Sequence, residues 1–203
     1  MVAAKVTKPP GRAYRGHPRQ RSPGVFRQIF IPLCGLLLLA TGCGDEAPRP
    51  LFQVTYRPVD FVLPAGNLAR QSFVAAVPRL TTNFEQERAA SNTSVDDIDI
   101  VQGFRARIVS ISGEDFRQYE RAELRFCPVG QDGGCGRFDF MFSTEDLYLR
   151  RQTVIDLSPQ LKNFRDLFLR DEEVRLEIVL IPGETTSQTI EARLEYTVGA
   201  FGE

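Results

Sequence analysis

The stretch VRLEIVLIPGETTSQTIEARLEYTV, Val174 to Val198, decides the fold. In its second half Ile190, Ala192, Leu194, Tyr196 and Val198 alternate with Glu191, Arg193, Glu195 and Thr197. Successive side chains of a strand point to opposite faces, so this alternation gathers the apolar residues on one face and the polar ones on the other. A strand with one dry and one wet face belongs to an antiparallel sandwich. The first half, VRLEIVLIP, reads as a second strand, and the polar GETTSQ between them reads as a turn.

Strand signals continue upstream. LFQVTY (Leu51 to Tyr56) and DIDIVQGFRARIVSI (Asp97 to Ile111) carry alternating or β-branched apolar residues, and AELRFCPV and GRFDFMF flank a cysteine loop as a hairpin. In GRFDFMF, period two places Phe138, Phe140 and Phe142 on one face, read as core. One helix interrupts the pattern. In DLSPQLKNFRDLFLRDE, Ser158 is a natural N-cap with Pro159 at the first helical position, and Leu161, Phe164, Leu167 and Phe168 recur at helical spacing. That stripe is expected to pack over an end or face of the sheet. Short helical turns are expected at Asp115 to Glu120 and Ser143 to Leu147. Residues 65–96 read as an extended strand followed by a loop, because Pro78, TTN and SNTS break the helical run. The whole predicts an all-β protein: an antiparallel β-sandwich, Ig-like or jelly-roll in style, of about seven to nine strands with one short α-helix, over residues 51–203.

Charge divides the chain near Cys43. Seven Lys or Arg and no acid precede it; eighteen basic and twenty-six acidic residues follow, leaving −8 downstream. An acidic domain argues against nucleic acid, whose phosphates call for a basic patch. Between Ile29 and Ala40 runs IFIPLCGLLLLA, twelve uncharged residues after a basic stretch. Crossing a bilayer takes about 20 apolar residues, so the run reads as an export signal rather than a span.

At Leu39-Ala40-Thr41-Gly42-Cys43 the sequence resembles the lipobox of bacterial lipoproteins. The resemblance covers only the leader and its junction. It implies that residues 1–42 are removed, that the Cys43 thiol carries diacylglycerol and that the new amino terminus is acylated; residues 44–50, GDEAPRP, are polar and proline-containing and read as a short tether, so that residues 43–50 make up the lipidated N-terminus and tether. The chain would then sit in a bacterial envelope, held by its lipid. Ala40 stands where Leu is commonest in that family. Gly44 follows the cysteine where an Asp would commonly retain the protein in the inner membrane, so the outer membrane is favoured. Two or three acyl chains, at about 0.8 kcal/mol per buried methylene, make such an anchor effectively permanent.

Cys34 would leave with the leader. Cys127 and Cys135, in CPVGQDGGC, read as one disulfide closing a tight loop, because an exported chain meets an oxidising compartment and Pro, Gly and Asp form turns; a pair of free thiols is the alternative. Two thiolates with no histidine nearby leave a zinc shell half filled, and a redox pair usually has two residues between its cysteines.

The sole histidine, His17, lies in the leader. Behind Cys43 this removes Ser-His-Asp and Cys-His catalysis and His-ligated metals. Lys162 is the sole lysine there, in the expected helix and without a serine motif. Asp96, Asp97 and Asp99 offer oxygen ligands but lack the Gly and closing Glu of a Ca²⁺ loop, so they read as a solvated strand entrance. No catalytic residue, cofactor or metal is therefore assigned. The expectation is a non-catalytic envelope lipoprotein, a disulfide-stapled binding or structural module whose partners are the membrane, through the lipid, and another envelope protein. The alternative is a carboxylate-dependent hydrolase of envelope or surface glycan, which needs two acids converging in one cleft. A third reading is a carrier of apolar ligands, since thirteen of fifteen phenylalanines follow Cys43, mostly at core positions.

Overall fold

The computed structural model describes residues 49–202; the expected leader (1–42), Cys43 and residues 44–48 of the expected tether lie outside the described residues. Nine strands form: β1 (Phe52–Thr55), β2 (Val59–Leu63), β3 (Phe73–Thr81), β4 (Ile100–Ser110), β5 (Tyr119–Pro128), β6 (Phe140–Thr144), β7 (Val154–Pro159), β8 (Glu173–Pro182) and β9 (Ile190–Phe201). Two short helices, α1 (Phe84–Ala90) and α2 (Arg165–Arg170), and a 3-10 turn at Val95–Asp97 complete it. Every strand pair is antiparallel, in the order β1-β9-β4-β7-β6-β5-β8-β3, with β2 also on β9. The sheet curls between β7 and β6, joined through Phe142 opposite Pro159 and Ser143 opposite Ser158, into a half-barrel whose two halves pack face to face. The all-β sandwich expectation holds.

The alternation in β9 becomes burial. Ile190, Ala192, Leu194, Tyr196 and Val198 are buried, and the residues between them lie outward. Leu124 and Phe126 of β5 and Leu176, Ile178 and Leu180 of β8 line the facing half. The Phe126 ring spans the interior to Tyr196, centroids 5.9 Å apart. Each such side chain contributes about 1.5–3 kcal/mol on burial. GETTSQ crosses between the halves: β8 pairs with β5 and β3, whereas β9 pairs with β4, β1 and β2. Helices close one end of the half-barrel. Phe84 of α1 meets Phe52 at 5.0 Å and Phe168 of α2 at 5.7 Å, and Phe168 meets Phe126 at 5.8 Å. Gly103 in β4 faces the Phe142 ring so closely that a Cβ would lie 2.5 Å from it.

Several local expectations are corrected. Ser158 and Pro159 end β7 instead of opening a helix; their partners across the ladder are Ser143 and Phe142, and a proline is tolerated at a strand end. The helix starts six residues later, from Phe164 as an N-cap without a side-chain cap bond, and Leu161 falls outside it, 99% exposed. Phe164 and Phe168 do pack over the sheet end. Residues 73–81 are extended as expected, but α1 follows instead of a plain loop, anchored by one buried residue, Phe84, with no apolar stripe to announce it. Ser143 to Leu147 holds no helical turn, since β6 ends within it, and Asp115 to Glu120 holds one hydrogen-bonded turn, the Tyr119 N–H donating to the Phe116 carbonyl at 2.9 Å, before β5 takes over. Phe138, Phe140 and Phe142 do not share a face. Leu124 stands opposite Phe142 but Arg125 opposite Phe140, so Met141 is an extra residue in a β-bulge and the faces swap there. Phe142 is buried, while Phe140 is half-buried beneath the Arg121 guanidinium, 5.9 Å away. Phe138 precedes β6 in a turn closed by Gly136 and Asp139, and is 65% exposed.

Candidate binding surface

Register sorts the loops into two ends. At one end the chain joins β1, with the Leu51 N–H donating to the Ala200 carbonyl, and there lie α1, α2 and the cysteine loop. At the other end gather loops 64–72, 111–118, 145–153 and 183–189, because Ser110 stands opposite Ala192, Leu63 opposite Ile190 and Tyr119 opposite Pro182.

Those four loops are tied to one another. The Gly66 N–H donates to the Thr186 carbonyl, the Thr186 N–H to the Asn67 carbonyl, and the Thr186 hydroxyl to the Pro64 carbonyl. The Gln118 amide donates to Glu184 Oε1, and its carbonyl accepts from the Ser187 N–H at 2.9 Å. Tyr148 donates its hydroxyl to Glu184 Oε2; desolvation, then the Glu184 charge, raises the tyrosine's pKa above its ordinary value. Arg70, Asp146 and Leu149 hold positive φ, and the Leu149 N–H donates to the Arg117 carbonyl at 2.8 Å. Such backbone persists in bulky residues only where the surroundings hold it.

Two depressions flank loop 145–153. One, of about 600 Å³, is lined by Arg70, Glu120, Asp146, Tyr148, Arg150 and Gly183. The other, of about 540 Å³, runs along Gly113 to Asp115 and Arg151 to Val154. The ion pairs among the described residues leave out Arg70, Arg150, Arg151, Glu120 and Asp146, so charges of both signs face solvent uncompensated. An arrangement of this kind favours a partner of complementary charge and penalises a mismatched one. The sequence reading assigned none of these residues. They come from three separated segments, and only the fold brings them together; LYLRR beside TED was the one local hint of a charged loop.

The cysteine pair is a disulfide, Cys127 to Cys135, with Cα atoms 5.3 Å apart. It holds its loop across the outer face of β5 and β8. Gly134, at φ +84°, lies against Glu177, where a Cβ would come 2.4 Å from Oε1. Glu177 and Glu123 are buried on this outer face, and each is held by arginine. Arg175 Nε donates to Glu177 Oε1 at 2.7 Å and Arg125 Nε to Glu123 Oε2 at 2.7 Å. Arg121 Nε sits 2.6 Å from Glu123 Oε1, an ionic contact without hydrogen-bond alignment. Each of these pairs joins residues two apart on one strand, so the arginines neutralise the buried carboxylates in place. Lys162 lies in a loop before α2, bonded to Asp139 at 2.7 Å. Burial opposes ionisation of Asp139, but Lys162 and the Gly136 N–H outweigh it and hold the carboxyl below its usual range. In the Asp96, Asp97 and Asp99 cluster, Asp97 accepts from the Ser94 N–H and completes a capping box, so this carboxylate serves the backbone.

No family model matches the chain, and no curated protein matches it. Among solved structures, a chain in the three-dimensional structure of Cocksfoot mottle virus shows 11% identity over 88% of this chain and 97% of its own. The TM-score is 0.27.

Proposed function

We propose that the chain is a bacterial lipoprotein held by lipid on Cys43, in the outer membrane, and that its sandwich is a non-catalytic module presenting the four-loop end to another envelope component. One observation carries the binding face: the chain joins β1 at the end of the sandwich opposite those loops. The eight residues from Cys43 to Pro50 reach at most about 27 Å when extended. The twelve-residue β9 alone spans about 40 Å from end to end. A lipid on Cys43 therefore keeps the loop end from docking end-on against its own bilayer and leaves it open to partners.

The experiment pairs membrane flotation and palmitate labelling of the full chain and of Cys43→Ser with photo-crosslinking from Arg150 and from Leu68, both on the loop end. The expected result is that the wild type floats and incorporates label, Cys43→Ser does neither, and the crosslinkers capture neighbours absent from a generic lipidated control. Flotation of Cys43→Ser with unchanged processing would overturn the anchor. Neighbours indistinguishable from the control would overturn the binding face.

The carboxylate-dependent hydrolase of envelope glycan keeps one foothold, since Glu120 and Asp146 share the larger depression. On that reading Glu120→Gln and Asp146→Asn each abolish release of glycan fragments; on the binding reading there is no release to abolish.

A further inference from the structure

At the end where the chain joins β1, two apolar side chains stand out into solvent at loop tips: Leu161 at 99% and Phe138 at 65% exposure. The fold brings these tips together from separate segments. The Gln160 N–H donates to the Met141 carbonyl at 2.9 Å, and Lys162 bonds Asp139 at 2.7 Å, so Leu161 and Phe138 flank one ion pair. Arg137 lies over the Phe138 ring, its guanidinium carbon 4.4 Å from the centroid. The one carboxylate between the tips, Asp139, is already engaged by Lys162 and the Gly136 N–H. Leu51, 42% exposed, adds apolar surface where the chain enters the sandwich.

We propose that Phe138 and Leu161 dip into the interfacial layer of a lipid bilayer, with Arg137 and Lys162 at headgroup level, and so orient the sandwich upright on the membrane. The inference rests on the anchor reading for its placement, because a lipid on Cys43 would hold this end within the tether's reach of about 27 Å. A bilayer suits the geometry better than a protein does. Two tips offer far less than the roughly 800 Å² per partner that a stable protein interface buries, whereas apolar side chains beside cationic ones are what an interface-seated surface presents. Lysine and arginine stems also lie along apolar surface while their charges stay in water.

The chain has no tryptophan, so a single one reports its own position. Full-length Phe138→Trp, Leu161→Trp and Leu68→Trp are reconstituted separately into phosphatidylcholine vesicles, with and without bromine-labelled acyl chains; Leu68 lies on the opposite end, 60% exposed. Seating about 5–10 Å into the interface predicts blue-shifted emission and at least about twofold stronger quenching by brominated lipid at positions 138 and 161 than at 68. Flotation with equal quenching at all three positions overturns this inference and leaves the anchor standing. Quenching that persists after Cys43→Ser supports the inference while overturning the anchor as the sole attachment; loss of both flotation and quenching in the full chain overturns both. A blue shift without lipid quenching means that protein covers the tips, which also overturns the inference.

Discussion

Two stacked tyrosines of the core differ in one bond. The rings of Tyr56 and Tyr196 lie 4.8 Å apart and 9° from parallel, and both are buried. Tyr56 donates its hydroxyl to the Thr82 carbonyl at 2.8 Å, linking the segment after β1 to the end of β3 across the open side of the half-barrel. The Tyr196 hydroxyl is buried without a hydrogen-bond partner. A buried polar group without a partner costs stability, whereas a completed bond contributes about 1 kcal/mol. The two phenylalanine substitutions therefore have opposite signs. Tyr56→Phe is expected to lose about 1–2 kcal/mol, while Tyr196→Phe is neutral or gains up to about 1 kcal/mol. Urea denaturation at constant m-value measures both, and an equal loss in the two variants would contradict the assignment of the hydroxyls.

At the scale of the element, what the sequence could announce was periodicity, and it announced strands better than their interruptions. The even alternation of β9 placed its inward residues correctly from Ile190 to Val198, and only in the last turn of the pleat, where Gly199 and Phe201 are buried as well, does the period fail. In β6 one extra residue at Met141 reverses the faces, and no local pattern marks a bulge whose position depends on the partner strand. Ser158-Pro159 carried the chemistry of a helix start, but pairing with β6 overrode it, and α2 is short enough that tertiary contacts of Phe164 and Phe168 decide where it begins. The surface with Arg70, Glu120, Asp146 and Arg150 was illegible because its members come from two separate loops and the start of β5. The disulfide was legible, since turn formers between two cysteines of a chain read as exported leave few other uses. Its contribution is testable. Closing a nine-residue loop restricts the unfolded chain by an amount worth about 2–3 kcal/mol. The double substitution Cys127→Ala with Cys135→Ala is expected to lose that much in denaturant titrations, and added reductant should destabilise the wild type alone. A loss in the double variant that reductant fails to reproduce in the wild type would trace the effect to packing of the loop on Glu177.

At the scale of the molecule, both halves of the curled sheet share one hydrophobic cluster, so they are expected to unfold together. Their tyrosines offer a probe. Tyr56 and Tyr196 lie on the β1–β9 side and Tyr119 opens β5 in the other half. Burial pushes the Tyr119 hydroxyl up to about 12 and raises Tyr56 and Tyr196 as well, with Tyr196 adding to the effect at Tyr56. Each of these groups is neutral when folded at a pH where the unfolded chain would release its proton. The stability they contribute is therefore complete below about pH 10, the unfolded value, and is lost as pH rises towards the folded values. Because unfolding lets all three hydroxyls ionise near pH 10, below their folded values, alkaline titration is expected to show the three tyrosinates appearing in one step, coincident with loss of the far-ultraviolet strand signal. Stepwise ionisation, with Tyr119 appearing while the strand signal persists, would mean that the β5–β8 half opens alone and that the two halves are separate folding units.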